Sequence, residues 1–165
     1  MGQMLAKDLA HLSIFRNLSD DQLAQIVPLI ETCSGSREAF IFQQGDPAES
    51  LYVVVEGAVE IRYKAYDGPV MTVTHVGPGG IVGWSAALGR DSYTSSAVCV
   101  EDSQFFRIKG RALRRMCDED PETGVVLMER LASAIAERET HKHSQVVTML
   151  TQNGSGRSTY EEGKG

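Results

Sequence analysis

Hydrophobic and polar positions change period twice along this chain. Leu23, Ile26, Val27 and Ile30 recur at helical spacing. The run Leu18-Ser19-Asp20-Asp21-Gln22-Leu23 supplies the start signal, with Ser19 as cap, Gln22 as its capping-box partner, and Leu18 and Leu23 as a hydrophobic staple. Pro28 lacks an N–H and clashes with the turn before it, so the helix is expected to kink or end there. From Ala39 to Ile108 the period shortens to two. Val53 and Val55 alternate with Tyr52 and Val54, and Val59, Ile61 and Tyr63 are predicted to face one way with Glu60 and Arg62 facing the other. Val70-Met71-Thr72-Val73-Thr74 and Ala97-Val98-Cys99-Val100 are also strand-like. Breaks at Gly45-Asp46-Pro47, Glu56-Gly57, Asp67-Gly68-Pro69 and Gly77-Pro78-Gly79-Gly80 keep the strands short, which predicts an antiparallel sandwich or barrel.

Helix returns at the end. Arg111 to Met116 reads as a short amphipathic helix with Leu113 and Met116 facing in and the basic run Lys109 to Arg115 on its solvated side. Asp120-Pro121 reads as an N-cap followed by proline at the first helical position. One long helix is predicted from there to about Leu150, its apolar seam formed by Met128, Leu131 and Ile135, interrupted at Arg138 and Lys142 and resumed at Met149. The Gly/Ser- and charge-rich stretch after it is expected to be disordered.

Composition narrows the function. The chain has 165 residues, 42% hydrophobic and 23% charged, which suits one soluble domain with an appendage. A net charge of −6 argues against direct nucleic-acid binding, which depends on Lys and Arg neutralising phosphates. No apolar run is long enough to cross a bilayer and the first residues carry no apolar signal segment, so a cytoplasmic protein without a membrane partner is expected. Cys33, Cys99 and Cys117 are odd in number and far apart, and read as reduced thiols rather than metal ligands. No nucleophile stands beside a base in a recognisable motif, and the glycines lack the Lys-Ser/Thr ending of a nucleotide-hydrolase loop; no enzyme activity is expected.

The chemistry-bearing stretch runs from Gly77 to Ala97. Glycines and small residues let a backbone approach an anion, and the N–H groups from Gly83 through Leu88 sit at a helix start, where unpaired donors and the helix dipole favour negative charge. Ser85, Ala86 and Ala87 leave room for a ligand. Trp84 offers a flat ring to stack on, and Tyr93, Thr94, Ser95 and Ser96 offer hydroxyls. His75 is a lone histidine in a predicted strand, and His141 and His143, two apart on a helix, point to different faces and make no metal pair.

Several motifs in order resemble the cyclic-nucleotide-binding domain of catabolite-activator (Crp/Fnr) regulators, kinase regulatory subunits and gated channels. Ile14 to Ser19 looks like the family's entry motif; Gly45-Asp46, Leu51-Tyr52, Gly57 and Val59 carry the first half of the roll; Gly79-Gly80-Ile81-Val82-Gly83 looks like the opening of the phosphate-binding cassette. The similarity covers roughly Leu5 to Met116. It implies a mainly β fold with flanking helices: an eight-stranded antiparallel β-roll, also called a jelly roll or double-stranded β-helix, over 1–120, a long C-terminal helix over 121–152 that pairs with its twin in a homodimer, and a tail over 153–165. It also implies a ligand between roll and long helix, near Lys142 and His143.

Two departures stand out against that resemblance. Trp84 takes the place of the family's ribose-binding carboxylate, and Tyr93 that of its phosphate-binding arginine. Trp has no acceptor for a hydroxyl, and Tyr brings one neutral bond where Arg brings a charged, bidentate pair. Two lost contacts of about 1.5–3 kcal/mol each would weaken a cyclic nucleotide by about two to four orders of magnitude. The expected site is therefore Gly83, Trp84, Ser85, Ala86, Tyr93, Thr94 and Ser95, holding a cyclic nucleotide or another small nucleotide-like or aromatic ligand, with no metal and no certain cofactor. The expected role is a sensory or regulatory effector module without a DNA-binding domain in this chain, since only the short tail follows the long helix. The alternative is a ligand-free roll serving as a dimerisation or docking scaffold.

Overall fold

A computed structural model describes Leu9 and residues 12–138. Ser19 caps α1 (Asp20–Ile26), its hydroxyl accepting from the Gln22 N–H while the Gln22 side chain accepts from the Ser19 N–H. Both halves of the capping box form, as the sequence predicts. The helix stops at Ile26, and Val27–Leu29 tightens into a 3₁₀ turn around Pro28. Ile30, which the helical pattern included, instead opens the first strand.

Eight strands follow: β1 (Ile30–Gly35), β2 (Phe40–Phe42), β3 (Ser50–Glu56), β4 (Val59–Lys64), β5 (Val70–Val76), β6 (Ile81–Val82), β7 (Ser96–Cys99) and β8 (Ser103–Lys109). They form two four-stranded sheets, ordered β1-β8-β3-β6 and β2-β7-β4-β5, with every pairing antiparallel. This is the β-roll. The sequence places its first strand too late: β1 precedes Ala39 and pairs with β8 along its whole length. Strands that consecutive hairpins do not join are invisible to local periodicity.

The core lies between the sheets. Phe42 on β2, Val54 on β3, Val59 and Ile61 on β4, Ala97 on β7 and Phe105 on β8 belong to one buried cluster. The opposite face of the first sheet buries Leu51, Val53 and Ile108, and Leu23, Ile26, Leu113 and Met116 on the helices are buried too. Val59 and Ile61 are buried, whereas Tyr63, near the end of β4, is 44% exposed. The β4–β5 register shifts between Ile61 and Arg62, and the extra residue at this bulge is Val73 on β5.

Between β6 and β7 lies the single helical turn α2 (Trp84–Ala87), and after β8 comes α3 (Gly110–Glu119). A further helix, α4, begins at 121 and is described to 138. Asp120 caps it, accepting from the Thr123 hydroxyl at 2.6 Å and its N–H at 3.4 Å. The chain divides into two units, Met1–Ala134 and Ile135–Gly165; the roll and its cassette lie within the first. Of the second, residues 135–138 are helical, and the expectations for Lys142, His143, Met149, the end of the long helix and the tail fall outside the described residues. Cys33, Cys99 and Cys117 are free thiols, and burial pushes each of them above the ordinary thiol range.

Candidate functional site

β6 pairs with β3 for two residues and then hands the chain to Gly83, whose φ of +80° lies in the left-handed region. That conformation turns the backbone sharply into α2. A Cβ at Gly83 would lie 2.9 Å from the Ser50 carbonyl oxygen, 3.1 Å from the Phe42 ring and 3.2 Å from the Tyr93 ring. Both the backbone angle and the crowding therefore require glycine here. Ser85, Ala86 and Ala87 are buried, and Trp84, the first residue of the turn, is half-buried.

The far end of the turn is closed by backbone bonds from Leu88 to Trp84, Gly89 to Ala86 and Arg90 to Ser85, and by α3. The Arg114 guanidinium donates to the Ala86 carbonyl, a cation at the negative end of the turn. Gly110 makes that approach possible, because a Cβ there would lie 2.1 Å from the Ala86 oxygen. Its own N–H donates to the Glu49 carbonyl at 2.9 Å. Arg114 is thus not part of a solvated basic face, as the sequence suggests. Gly110, Leu113 and Arg114 at i, i+3 and i+4 share one side of α3, and that spacing was the available signal.

The chain returns toward the roll through Ser92, which bridges Pro47, and Tyr93, whose N–H donates to the Asp46 carbonyl and whose own carbonyl accepts from the Gly45 N–H. Asp46 in turn accepts the Gln43 N–H at 2.9 Å. The Gly45-Asp46-Pro47 turn is therefore the frame on which Tyr93 is hung. The Tyr93 ring is 5% exposed and stacks on Phe42 at a centroid distance of 3.7 Å. Its hydroxyl accepts the Ser50 N–H at 3.0 Å and donates to the Ser50 carbonyl at 2.6 Å. Burial raises the phenol above its ordinary value, so the donor is retained. The hydroxyl expected to meet a ligand is engaged within the protein.

Gly83, Trp84, Ser85, Ala86 and Tyr93 thus come together around one backbone turn. Thr94 is exposed and Ser95 half-buried as the chain climbs into β7. Phe42 and Ser50, which fix Tyr93, were not singled out in the sequence; nothing local marks them, because their partner lies on a distant loop. His75 is exposed and sits opposite Glu60 across β4–β5. No cluster of three or more His, Cys, Asp or Glu that could hold a metal occurs among the described residues, and no helix described is long and apolar enough to cross a membrane.

Residues 35–120 match the family model of the cyclic nucleotide-binding domain. The chain belongs to the cyclic nucleotide-binding domain family. Among similar proteins, a CRP-like cAMP-activated global transcriptional regulator of Mycobacterium tuberculosis is 24% identical over 149 residues, covering 90% of this chain and 65% of the regulator. A global nitrogen regulator of Synechococcus elongatus is 29% identical over 138 residues, covering 82% of this chain and 60% of the relative. This cyclic nucleotide-binding domain therefore spans less than two thirds of the length of those Crp/Fnr-type relatives. A protein of Geobacter metallireducens solved as a cyclic nucleotide-binding protein is 32% identical with a TM-score of 0.73, covering 82% of this chain and 98% of that one.

Proposed function

We propose that this domain is a Crp/Fnr-type sensory module whose cassette takes a small ligand other than a tightly held cyclic nucleotide. The observation that carries this reading is the pairing of an intact backbone turn at Gly83 with Trp84 and Tyr93 at the two positions that the resemblance assigns to a carboxylate and an arginine. Backbone N–H groups at the turn, with the small side chains of Ser85 and Ala86 beside them, suit a polar or anionic group. Trp84 provides a ring for stacking, and Thr94 and Ser95 provide hydroxyls. Tyr93 belongs to the site as its inner wall, holding Gly83 in place from behind. Output in a module of this type is a shift of the C-terminal helix, favoured by whichever ligand binds one state better. The helix from 121 would serve as the seam of a homodimer in the cytoplasm, and the DNA-reading function would lie outside this domain.

A second reading is supported by the Tyr93–Ser50 and Tyr93–Phe42 contacts, which fill the roll from within. In that reading the domain is a ligand-free scaffold for dimerisation or docking. A thermal-shift screen separates the two. Cyclic mononucleotides, cyclic dinucleotides and aromatic metabolites are tested against the full chain, with Trp84 fluorescence as the second readout. A ligand at 100 times its dissociation constant stabilises by about 2.7 kcal/mol. The sensor reading expects at least one such shift, abolished in Trp84→Ala. No shift with any compound, and a Trp84→Ala protein that merely loses stability, favours the scaffold.

A further inference from the structure

We propose that the end of the roll beneath Tyr93 holds a second ligand site, built for a small zwitterion of the free α-amino-acid class. The starting point is a half-exposed cation at the end of the row that lines the core. Along β8 the side chains of Phe105, Arg107 and Lys109 share one face, and Phe105 on that face lies in the core between the sheets. The Arg107 side chain is partly solvated, and only the atoms turned toward the roll need protein partners. Arg107 has some of them. Its Nη2 donates to Glu31 at 2.6 Å, and Tyr52 lies opposite it across β3–β8. Its Nε is buried and makes no hydrogen bond. The side chain as a whole is 37% exposed, so its guanidinium can take a further anionic partner.

The space beside that arginine can admit such a partner. A cavity of about 370 Å³ opens there, with Phe42, Tyr52 and Tyr93 as aromatic walls and Arg107, Lys109, Glu49 and Asp46 as its charged groups. Two cations and two carboxylates ring the same small volume, yet among the described residues no ion pair joins Lys109 to Glu49 or Asp46. Asp46 uses Oδ2 on the Gln43 N–H; no protein bond to Oδ1 is described. A simple anion would satisfy the Arg107 side and face the carboxylates unfavourably. A simple cation would do the reverse. A ligand that carries both charges matches both sides: its carboxylate on the exposed part of the Arg107 guanidinium and Lys109, its ammonium on Glu49 and Asp46. The volume admits a small or medium amino acid and lies at the low end for ligand cavities. The same Phe42 and Tyr93 rings lie where a Cβ at Gly83, the residue before Trp84, would point, so occupancy is expected to be readable in the fluorescence of the single tryptophan.

The experiment titrates the full chain with each of the twenty amino acids, following Trp84 emission and calorimetric heat. Acetate, propionate, ethylamine and inorganic phosphate serve as half-charged controls. Saturable binding of at least one amino acid is expected, at least about tenfold tighter than propionate or ethylamine, since each control lacks one charged contact. Arg107→Leu and Glu49→Gln should each weaken that amino acid by about tenfold. Glu49 is exposed, so its variant keeps the fold if Arg107→Leu does not. Absence of saturable binding by all twenty overturns the proposal. So does propionate or phosphate binding as tightly as the best amino acid, which would make this a simple anion site, or a Glu49→Gln protein that binds unchanged.

Discussion

The Tyr93 hydroxyl closes both hydrogen-bonding groups of the Ser50 backbone, accepting from its N–H at 3.0 Å and donating to its carbonyl at 2.6 Å. Ser50 opens β3, the strand that pairs with both β6 and β8. One side chain from the cassette's return limb therefore fixes the start of a central strand. In Tyr93→Phe the ring and its stack on Phe42 remain, but a buried N–H and C=O lose their partner. The expected loss is about 1–3 kcal/mol, read as a lower urea midpoint with an unchanged slope.

Gly110 and Arg114 tie α3 to the cassette turn. Gly110→Ala places a methyl 2.1 Å from the Ala86 oxygen, so either α3 or the turn must move. Overpacking of this kind costs about 1–3 kcal/mol. Hydrogen exchange should rise at Gly83 to Gly89 in this variant, and Arg114→Ala should raise it at the same amides with a smaller loss of stability. Exchange unchanged at the turn in both variants would show that α3 does not hold it.

The Arg107–Glu31 pair sets an acid-side dependence. The hydrogen bond from Arg107, and then its charge, hold the Glu31 carboxyl below its ordinary value of 4.5. A lowered carboxylate pKa adds stability that is present above the unfolded value and is lost as pH falls through the folded one. The pH-dependent part of the stability difference between the protein and Arg107→Leu should be constant above about pH 5.5 and shrink as pH falls below 4.5. Both residues are substantially exposed, so the effect is small and weakens with salt. Urea titrations at pH 3.5 and 7 measure it.

Much of this architecture is written locally. Ser19 and Gln22 announce the first helix, Pro28 its end, and Asp120-Pro121 the start of the last one, because caps and prolines act over three or four residues. The resemblance implies what local pattern does not, an eight-stranded roll, and the structure shows how its strands divide into two sheets. Two features escaped for physical reasons. β1 was hidden because its partner, β8, is remote in the chain. Tyr93 was expected to face a ligand, and whether a loop tyrosine points in or out is decided by Phe42 and Ser50, which only the fold brings to it.

The central claim is that Trp84 and Tyr93 have replaced the side chains that secure a cyclic nucleotide, on a cassette whose backbone still serves a ligand. Calorimetric titration of cAMP tests it most directly, comparing the unaltered chain with Trp84→Glu and with the double variant Trp84→Glu, Tyr93→Arg, each checked for folding by circular dichroism. Two restored charge-assisted contacts should tighten cAMP by about two to four orders of magnitude in the double variant, and Trp84→Glu alone by at least about tenfold. Unaltered protein that binds cAMP as tightly as either variant would contradict the account.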